Sequence, residues 1–395
     1  MESIINKNFS NTTVLVRVDF NVPLNEKNEI TDTSRIEACS STIKKLIHDK
    51  AKIILISHLG RPENKEEKFS LKHLVSTVSK LFKVNVSFVD DCFGVNVNNA
   101  VNNLIPGEIL ILENLRFYSE EKNGDLSFAR KLSEIADIYI NDAFGTSHRD
   151  HASTSTIAKF FPNKKYFGLL FEKELKNLKK SVFMCKKPLT AIIGGAKVSS
   201  KIDVIISLLD KVDNLIVGGG MAYTFIKSMG GEVGKSIVEL EKLDVSKKII
   251  KIAQDKGVNL LFPTDSLNAN SFEDKSNLSF SNIRNIPNNQ IGLDLGKESI
   301  SSFTKVIKNS KTIIWNGPMG VFEMSSFELG TRKIAEAICE ATKYGAFSLV
   351  GGGDSISALK KFNLYNDISY VCTGGGAMLK FLEGGEMPAI KAILD

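Results

Sequence analysis

Short apolar runs alternate with segments of helical spacing along nearly the whole chain. The apolar runs that predict strands in the first half occupy residues 12–20, 51–57, 84–89, 108–114 and 136–142. Those in the second half occupy residues 189–195, 213–219, 258–265, 311–317, 345–352 and 368–375. Segments 33–50, 71–82 and 126–136 carry apolar side chains three or four positions apart and therefore predict helices. Helical patterns also follow nearly all strands of the second half.

Nearly continuous apolar strands separated by helices are typical of parallel sheets covered by helices on both faces. We therefore expect an α/β protein with two doubly wound parallel-sheet domains. The alternation breaks in "FFPNKKYFG" (160–168), and residues 169–180 predict a charged amphipathic helix that connects the two halves. The C-terminal tail leaves the last helix through Gly384, Gly385 and Pro388, and the pattern allows it to pack on either domain.

Length and composition fit this picture. A chain of 395 residues exceeds what one hydrophobic core usually serves, and its hydrophobic fraction of 43% is typical of a globular protein. No secretory signal is visible, and no apolar stretch approaches the roughly 20 residues that span a bilayer. The 5 cysteines are scattered without a CxxC pair, which predicts reduced thiols in a cytoplasmic protein.

Charge points to small anions as ligands. The net charge of +6 is compatible with a nucleic-acid partner, but the chain has no block of basic residues and no basic stripe interleaved with aromatics. Of 8 arginines, 6 lie in the first 151 residues, as do all 5 histidines, whereas 24 of the 29 glycines follow residue 160. Arginine binds carboxylate and phosphate through two parallel hydrogen bonds, and glycine lets a ligand approach backbone N–H groups. The two halves are therefore expected to hold anions by different means.

The polar and glycine-rich segments follow the predicted strands, at the sheet edge where open parallel sheets bind ligands. In the first half these segments are Asp19 and Asn21, "SHLGRP" (57–62), "ENLRF" (113–117) and "NDAFGTSHR" (141–149). In the second half they are "GGAKVSSK" (194–201), 218–220, "PTD" (263–265), "WNGPMGVFE" (315–323), "GGGDS" (351–355) and "TGGGA" (373–377). Tight turns explain one or two such glycine runs, but not all of them.

Two of these loops carry charges suited to a nucleotide. Lys197 and Lys201 are four residues apart and would share one face at the start of a helix, which suits a polyphosphate, although a solvated lysine pair is the alternative. Asp354 follows three glycines at a predicted helix start. It is a candidate ligand of nucleotide-bound Mg²⁺ and equally a candidate N-cap.

The segment "INDAFGTSHRDHAST" (140–154) combines histidine, arginine and aspartate in a short stretch. A metal site would need further acidic or histidine ligands in regular spacing, and a hydrolase would need a nucleophile motif that the chain lacks. We interpret the segment as one wall of an anion site with Arg149 as its binding residue. His148 and His151 either orient this wall or are structural.

Nine blocks in the same order along the chain resemble the phosphoglycerate kinase family. They are "RVDFNVP", "SHLGRP", "LENLRF", "NDAFGTSHR", "GGAKVSSKI", "GGGMAYTF", "WNGPMGVFE", "GGGDS" and "TGGGA". The resemblance implies two Rossmann-like domains joined by a helix and a hinge, with residues 1–166 in the first domain and 167–385 in the second. It places the connecting helix at 167–181 and returns the tail, 386–395, to the first domain.

The resemblance also implies an activity: reversible phosphoryl transfer between 1,3-bisphosphoglycerate and MgADP, giving 3-phosphoglycerate and MgATP. Its implied partners are these small molecules, with neither nucleic acid nor membrane, and the implied protein is a monomer. The alternative is a non-catalytic nucleotide-binding protein that retains the kinase fold. Because the acceptor oxygen belongs to an ionised carboxylate, the lack of a histidine base in the second half agrees with the kinase.

The family motifs assign roles to individual residues. Those implied to bind phosphoglycerate are Asp19, Asn21, Arg35, His58, Arg61, Arg116 and Arg149. Those implied to bind the nucleotide are Gly194, Gly195, Lys197, Lys201, Gly219, Gly292, Asn316, Glu323, Gly352, Gly353, Asp354 and Ser355, with Mg²⁺ held by Asp354. For the transfer itself we expect Arg35, Lys197 and backbone N–H groups near Gly375 to stabilise the phosphoryl charge.

Three positions depart from the family pattern. Asp150 stands where the family usually has alanine, and Cys372 and Met378 stand where it usually has serine. Asp150 adds a negative charge beside Arg149, which would weaken the anion site if the two side chains met. We expect the Asp150 side chain to be directed away from Arg149.

Overall fold

The computed structural model describes residues 3–273 and 277–395, and its backbone divides into two compact units. One unit contains the chain up to Lys176 together with Glu386–Asp395, and the other is Asn177–Gly385. The division falls within the helix Leu169–Val182, which contains the predicted charged helix. The C-terminal segment meets the first unit where the Ala389 N–H donates to the Ser147 carbonyl at 3.2 Å.

The first unit is built on one sheet of six parallel strands. The strands are β1 (Thr13–Arg17), β2 (Lys52–Ile56), β3 (Val86–Val89), β4 (Ile109–Leu112), β5 (Ile138–Asn141) and β6 (Lys165–Phe167). Their order across the sheet is β3-β4-β2-β1-β5-β6. The five predicted strands are confirmed, each shorter than its apolar run. The edge strand β6 was not predicted, because three residues rich in lysine and aromatics give no apolar run.

Helices and short turns connect these strands. The α-helices are α1 (Ser34–Ala38), α2 (Ser40–His48), α3 (Val75–Phe82), α4 (Val95–Asn103), α5 (Ser119–Lys122), α6 (Leu126–Ser133) and α7 (Leu169–Val182). The 3₁₀ turns are Ile4–Asn6, Glu67–Phe69, Leu71–Leu74, Leu115–Phe117, Phe144–Thr146 and Thr156–Phe160. The single helix predicted for residues 33–50 is wrong in one respect: it divides at Cys39, whose N–H bonds back to the Glu37 carbonyl.

The second unit contains a second sheet of six parallel strands and two small sheets. Its strands are β7 (Leu189–Ile193), β8 (Asn214–Val217), β9 (Glu232–Val233), β10 (Asn259–Leu261), β11 (Asp265–Ala269), β12 (Ser279–Asn282), β13 (Asn285–Ile286), β14 (Ile291–Leu295), β15 (Thr312–Asn316), β16 (Phe347–Gly351) and β17 (Tyr370–Cys372). The large sheet has the order β10-β8-β7-β15-β16-β17, the antiparallel sheet is β12-β11-β14, and β13 pairs with β9.

The helices of the second unit follow its strands, as the pattern predicted. They are α8 (Ile202–Leu208), α9 (Met221–Ser228), α10 (Leu243–Asp255), α11 (Lys297–Lys308), α12 (Leu329–Lys343), α13 (Gly353–Lys361) and α14 (Gly375–Leu382). Short 3₁₀ turns lie at Leu240–Lys242, Ser325–Phe327 and Tyr365–Asp367. The final helix, α15 (Pro388–Leu394), belongs to the first unit.

The antiparallel sheet is the main feature that the sequence pattern did not predict. The strand predicted for residues 258–265 ends at Leu261 in β10, and Asp265 begins the separate strand β11. Pro263 separates the two strands, since proline cannot donate a ladder hydrogen bond. The strands β11, β12 and β14 mix serine, asparagine and aspartate with apolar residues. A search for apolar runs therefore treats these strands as loops.

Both large sheets are buried on their two faces. All residues of β4 and β7 are buried, and neighbouring side chains of a strand point to opposite faces. This burial confirms the prediction of doubly wound parallel sheets. Among residues 3–273 and 277–395, no helix has the length and apolar composition needed to cross a bilayer.

Each large sheet has a switch point that locates its ligand cleft. In the first unit, β1 lies between β2 and β5, so the loops after β1 and β5 leave the sheet in opposite directions. In the second unit, β7 lies between β8 and β15 in the same way. Ligands of open parallel sheets bind outside the carboxyl ends of the strands at such a point.

Candidate functional site

A cluster of arginines lies at the carboxyl edge of the first sheet. Arg17 is the last residue of β1, and its side chain is buried. Its Nη2 lies 3.1 Å from Nδ1 of His58, which follows β2. Burial lowers the pKa of His58 well below its usual value of 6.5, and the positive charges of Arg17, Arg116, Arg149 and Arg35 lower it further. His58 is therefore neutral in a strongly positive environment.

Hydrogen bonds tie the loops of this edge together. Asp19 accepts from Arg35 Nη1 at 2.5 Å, and the Asn21 side-chain oxygen accepts from the Gly60 N–H at 2.8 Å. Arg116 donates to the Gly60 carbonyl at 2.5 Å. The loops after β1, β2 and β4 are thus fixed around one another.

Arg116 is nearly buried among like charges. Burial lowers its pKa to about 10, and the charges of Arg149 and Arg17 act in the same direction. Its guanidinium remains charged at neutral pH, where a bound anion would offset this repulsion. Arg61 directly follows Gly60 in the loop after β2 and is exposed. The structure thus gathers Asp19, Asn21, Arg35, His58 and Arg116 at one edge.

The segment 140–154 forms a further part of this edge. The guanidinium Nε of Arg149 lies 3.4 Å from His148 Nε2, so His148 lies against the predicted anion-binding residue. The Asp150 carboxylate accepts from Ser155 Oγ at 2.5 Å. This contact agrees with the expectation that the Asp150 side chain is directed away from Arg149.

His151 has a different partner from His148. Its Nδ1 lies 3.7 Å from a carboxylate oxygen of the buried Glu121. Burial alone would raise the pKa of Glu121, but the neighbouring His151, the charge of Arg17 and the hydrogen bonds of Ser153 bring it below its usual value. Glu121 is therefore an ionised counter-charge beneath the arginine cluster.

Arg17, Ser153 and Glu121 were not among the residues selected from the sequence. A signal for Arg17 was present: an arginine that closes an apolar strand, "TVLVR", occupies a position where a charge is unusual. Ser153 and Glu121 carried no such signal, because serine and glutamate in loops and helix ends are common.

A cleft of about 200 Å³ opens at the carboxyl edge of the second sheet. Of the predicted nucleotide residues, it is lined by Gly195, Gly219, Gly292, Glu323 and Asp354. The remaining wall is mostly apolar. Part of it comes from segments selected from the sequence, namely Ala196, Gly220, Tyr223, Pro318, Met319, Gly320 and Val321. The other part, which no motif predicted, is Ile237, Phe272, Ile291 and Leu293. The apolar lining of the cleft is typical of small-molecule sites.

Two glycines allow the loops of the cleft to meet. A Cβ atom at Gly194 would lie 2.1 Å from the Pro318 carbonyl oxygen, so the loops after β7 and β15 touch through backbone alone. Gly219 has a φ of +69°, and a Cβ there would lie 2.7 Å from the Gly195 nitrogen. Gly194 is therefore a packing residue behind the cleft, whereas Gly195 and Gly219 line it.

The expectation that Lys197 and Lys201 share a helix face is wrong. Helix α8 begins at Ile202, so both lysines precede it. The reason is a tertiary contact: the Ser199 N–H and Oγ donate to the Glu239 carboxylate at 3.0 Å and 2.5 Å, which holds residues 197–201 in a turn. Lys197 is exposed there.

Lys201 is mostly buried behind this turn. Its ammonium group donates to the side-chain and backbone oxygens of Asn316. Burial lowers its pKa to about 8, and the nearby Asp354 carboxylate opposes that shift. The structure thus brings Lys201, Asn316 and Asp354 together.

The other predicted nucleotide residues support the cleft from behind. Ser355 is buried, and its hydroxyl accepts from the Gly317 N–H at 2.7 Å. The Asn316 amide donates to the Gly351 carbonyl at 2.8 Å. Gly375 begins α14, and a Cβ there would lie 2.8 Å from the Gly352 Cα. Gly353 begins α13 and is exposed.

Asp354 is the candidate metal ligand. Gly352 is the N-cap of α13 and Asp354 lies in its first turn, so the N-cap alternative for Asp354 is wrong. Within residues 3–273 and 277–395, no three His, Cys, Asp or Glu side chains form a metal-binding group. A single exposed carboxylate in a nucleotide cleft fits Mg²⁺ that takes its remaining ligands from phosphates and water.

Comparison with known proteins identifies the family of the chain. A model of the family described as phosphoglycerate kinase matches residues 4–385. The phosphoglycerate kinase of Porphyromonas gingivalis is 47% identical, with 98% of each chain covered. The cytosolic phosphoglycerate kinase of Triticum aestivum is 48% identical, over 96% of this chain and 94% of its own. The structure of phosphoglycerate kinase from Coxiella burnetii superposes with a TM-score of 0.90 at 39% identity, covering 100% of this chain and 98% of that chain.

Proposed function

The chain belongs to the phosphoglycerate kinase family, and from this premise we propose how its residues carry out the reaction. The activity is phosphoryl transfer between 1,3-bisphosphoglycerate and ADP, giving 3-phosphoglycerate and ATP. The acceptor in the reverse direction is a carboxylate, so the enzyme is a phosphotransferase with a carboxyl group as acceptor. What remains to be assigned is which edge binds which substrate and which groups stabilise the transferred phosphoryl.

Phosphoglycerate binds at the arginine cluster of the first unit. Arg35, Arg61, Arg116 and Arg149 supply charged donors, and His58 supplies a neutral one. A guanidinium pairs with carboxylate or phosphate through two parallel hydrogen bonds, so a ligand carrying both groups fits this set. Asp19 and Asn21 orient the set by holding Arg35 and the Gly60 loop. The observation that carries this proposal is the grouping of Arg17, Arg149 and Arg116 around the buried His58. Burial lowers the pKa of both Arg116 and His58, and the positive charges of Arg17 and Arg149 lower both further.

The nucleotide binds in the cleft of the second unit. The apolar wall formed by Tyr223, Leu293 and Val321 accommodates the base, and Glu323 at the rim accepts from the ribose. Backbone groups at Gly195 and Gly219 approach the phosphates, with Lys197 and Lys201 beside them. Gly194, Gly292, Asn316, Gly352, Gly353 and Ser355 shape these walls. Asp354 holds Mg²⁺, which supplies charge neutralisation to the phosphates.

Transfer requires positioning and charge stabilisation rather than a base. The attacking carboxylate is already ionised near neutral pH, so no proton is removed. Arg35 and Lys197 stabilise the negative charge of the transferred phosphoryl, and N–H groups at the start of α14 near Gly375 assist. We propose that closure about a hinge brings the two bound substrates together and excludes water.

The remaining assignments are also proposals. The first domain comprises residues 1–166 with the tail 386–395, and the second comprises 167–385. The protein acts as a monomer in the cytoplasm, on small molecules and not on nucleic acid. Its five cysteines are free thiols, and the wheat relative named above is described as cytosolic.

An assay of ATP-dependent phosphorylation of 3-phosphoglycerate, coupled to NADH oxidation, tests the proposal. We expect Arg35→Ala and Lys197→Ala each to lower kcat by about a hundredfold or more, as removal of transition-state donors does elsewhere. The exposed Arg130→Ala and Lys251→Ala are matched controls and should keep wild-type rates. A wild-type protein that binds both ligands without turnover would instead support the non-catalytic alternative, and near-normal rates in both active-site variants would refute the residue assignment.

A further inference from the structure

We propose that Arg17, Ser153 and Glu121 are positioning residues that hold His58 in a single neutral tautomer, with its proton on Nε2, so that His58 donates a hydrogen bond to the phosphoglycerate anion. The inference rests on the proposed binding of phosphoglycerate at the first unit. It concerns residues to which the family motifs assigned no role, and it explains how a neutral histidine serves among arginines.

The first step is the contact between Arg17 and His58. The Arg17 Nη2 lies 3.1 Å from His58 Nδ1. A guanidinium has donors only and keeps its proton in proteins, so Nδ1 must be the acceptor in this pair. A neutral imidazole that accepts at Nδ1 carries its proton at Nε2. His58 is neutral because it is buried among positive charges. The geometry therefore leaves one tautomer.

The second step is the orientation of the Arg17 side chain. Its Nε donates to Ser153 Oγ at 2.9 Å, and its Nη1 donates to the Val18 carbonyl. Ser153 Oγ in turn donates to Glu121 Oε1 at 2.7 Å, and the Ser153 N–H donates to Glu121 Oε2 at 2.9 Å. Arginine only donates and an ionised carboxylate only accepts, so the donor and the acceptor of each hydrogen bond between Glu121 and His58 are fixed. Arg17 donates to His58 and to Ser153, and Ser153 donates to Glu121.

The third step is the charge balance of this chain. Arg17, Ser153 and Glu121 are each no more than 1% exposed, so the guanidinium and the carboxylate are removed from water together. A buried charge without a partner strongly destabilises the folded state. Glu121 compensates Arg17 through Ser153, and it also lies beside His151. Truncating Ser153 removes the bridge but leaves both charges in place.

The consequence concerns the anion. Burial lowers the pKa of Arg116, and the positive charges of Arg149 and Arg17 lower it further, so cations already repel one another around His58. A neutral Nε2–H adds a donor without adding another positive charge. The Arg17–Ser153–Glu121 chain thereby determines which atom His58 offers to the ligand.

Two-bond proton–nitrogen NMR spectra of the full-length protein, labelled with nitrogen-15 histidine, test the tautomer directly. The His58 signals are assigned by their loss in His58→Gln. We expect Nε2 protonated and Nδ1 unprotonated, and we expect 3-phosphoglycerate to shift the Nε2–H signal. A proton on Nδ1 of the wild-type protein, or an imidazolium near pH 7, would overturn the proposal.

Variants test the positioning role. Ser153→Ala and Glu121→Gln should give a mixture of His58 tautomers and raise KM for 3-phosphoglycerate by roughly three- to tenfold, the cost of one hydrogen bond, while KM for ATP stays unchanged. Ser153→Thr keeps the hydroxyl and should restore the single tautomer. Ser246→Ala is the matched control, since the buried Ser246 hydroxyl donates to the Lys242 carbonyl and lies outside both substrate sites.

The outcomes separate this inference from the proposed function. A wild-type tautomer and KM in Ser153→Ala would overturn the positioning role even when the kinase assay succeeds. An inactive wild-type protein that still shows the Nε2–H tautomer would contradict the proposed function and leave the positioning of His58 supported. An active protein whose Nε2–H signal ignores 3-phosphoglycerate would overturn the donation to the anion.

Discussion

Arg149 and Asp150 are neighbours in the sequence, but their side chains have different partners. The sequence showed an acidic residue beside the arginine that we propose binds the anion, but it did not show whether the two charges meet. The structure gives Asp150 a hydrogen bond from Ser155 and places Arg149 against His148. Side-chain direction within a loop depends on tertiary contacts, which no local pattern encodes.

We expect Asp150→Ala to change KM for 3-phosphoglycerate by less than about threefold, because an exposed, solvent-screened charge contributes little. Arg149→Ala should raise the same KM by about tenfold or more, because it removes a charged donor. Steady-state kinetics at fixed ionic strength measure both values. A large improvement in KM for Asp150→Ala would show that Asp150 opposes the anion after all.

The lowered pKa of Lys201 leads us to predict that nucleotide binding depends on pH. Burial lowers its pKa from 10.5 to about 8, so the side chain is charged below that pH and loses its proton as pH rises through it. Phosphates favour the charged form, so binding at higher pH must take up a proton. Calorimetry with ADP from about pH 7 to about pH 9.5 should show falling affinity, by at most tenfold per pH unit. Lys201→Arg, which stays charged, should show a flat profile; equal slopes in the two proteins would contradict the assignment.

At the scale of elements, the apolar pattern predicted the two large sheets, because buried parallel strands have apolar residues on both faces. It failed where elements are short or mixed. The edge strand β6 has three residues, and β11, β12 and β14 carry polar side chains. The lysine turn before α8 was also missed, since its geometry depends on Glu239, forty residues away in the chain.

Asp294 connects one of the missed strands to a helix. It lies in β14, and its Oδ2 accepts from the Gly330 N–H at 2.8 Å in the first turn of α12. Its Oδ1 is buried without a hydrogen-bond partner. Burial raises its pKa from 3.8 to about 7. Asp294 therefore stabilises the start of α12, but burying its charged carboxylate costs folding free energy by an amount that depends on pH.

The sign of that dependence follows from linkage. Since the pKa of Asp294 is higher in the folded state, the native protein binds more protons between about pH 4 and about pH 7, and its stability falls as pH rises across that window. Asparagine does not titrate, so the stability of Asp294→Asn does not fall in this way as pH rises. Urea unfolding should show the variant gaining stability relative to wild type from about pH 4 to about pH 7, by up to a few kcal/mol, with a constant difference above. A difference that is constant across the window would contradict the raised pKa.

At the scale of the whole molecule, the division of labour was visible in the sequence. Arginine and histidine concentrate in the first half and glycine in the second. The structure places several of the arginines, with His58, at the carboxyl edge of the first sheet, and Gly195 and Gly219 at that of the second. The position of each cleft follows from the order of the strands in its sheet. What the sequence could not predict is the supporting layer, such as Ser153 and Glu121 beneath the arginines.

The central claim is that each unit binds its own substrate by its own chemistry. Titration calorimetry of 3-phosphoglycerate and of MgADP, each added alone, to Arg149→Ala and Lys201→Met tests it most directly. We predict that Arg149→Ala weakens 3-phosphoglycerate binding by about tenfold or more and leaves ADP affinity within about twofold of wild type, and that Lys201→Met does the reverse. The account would be contradicted if each variant lowered the affinity for both ligands equally. It would also be contradicted if Arg149→Ala mainly weakened ADP binding and Lys201→Met mainly weakened 3-phosphoglycerate binding.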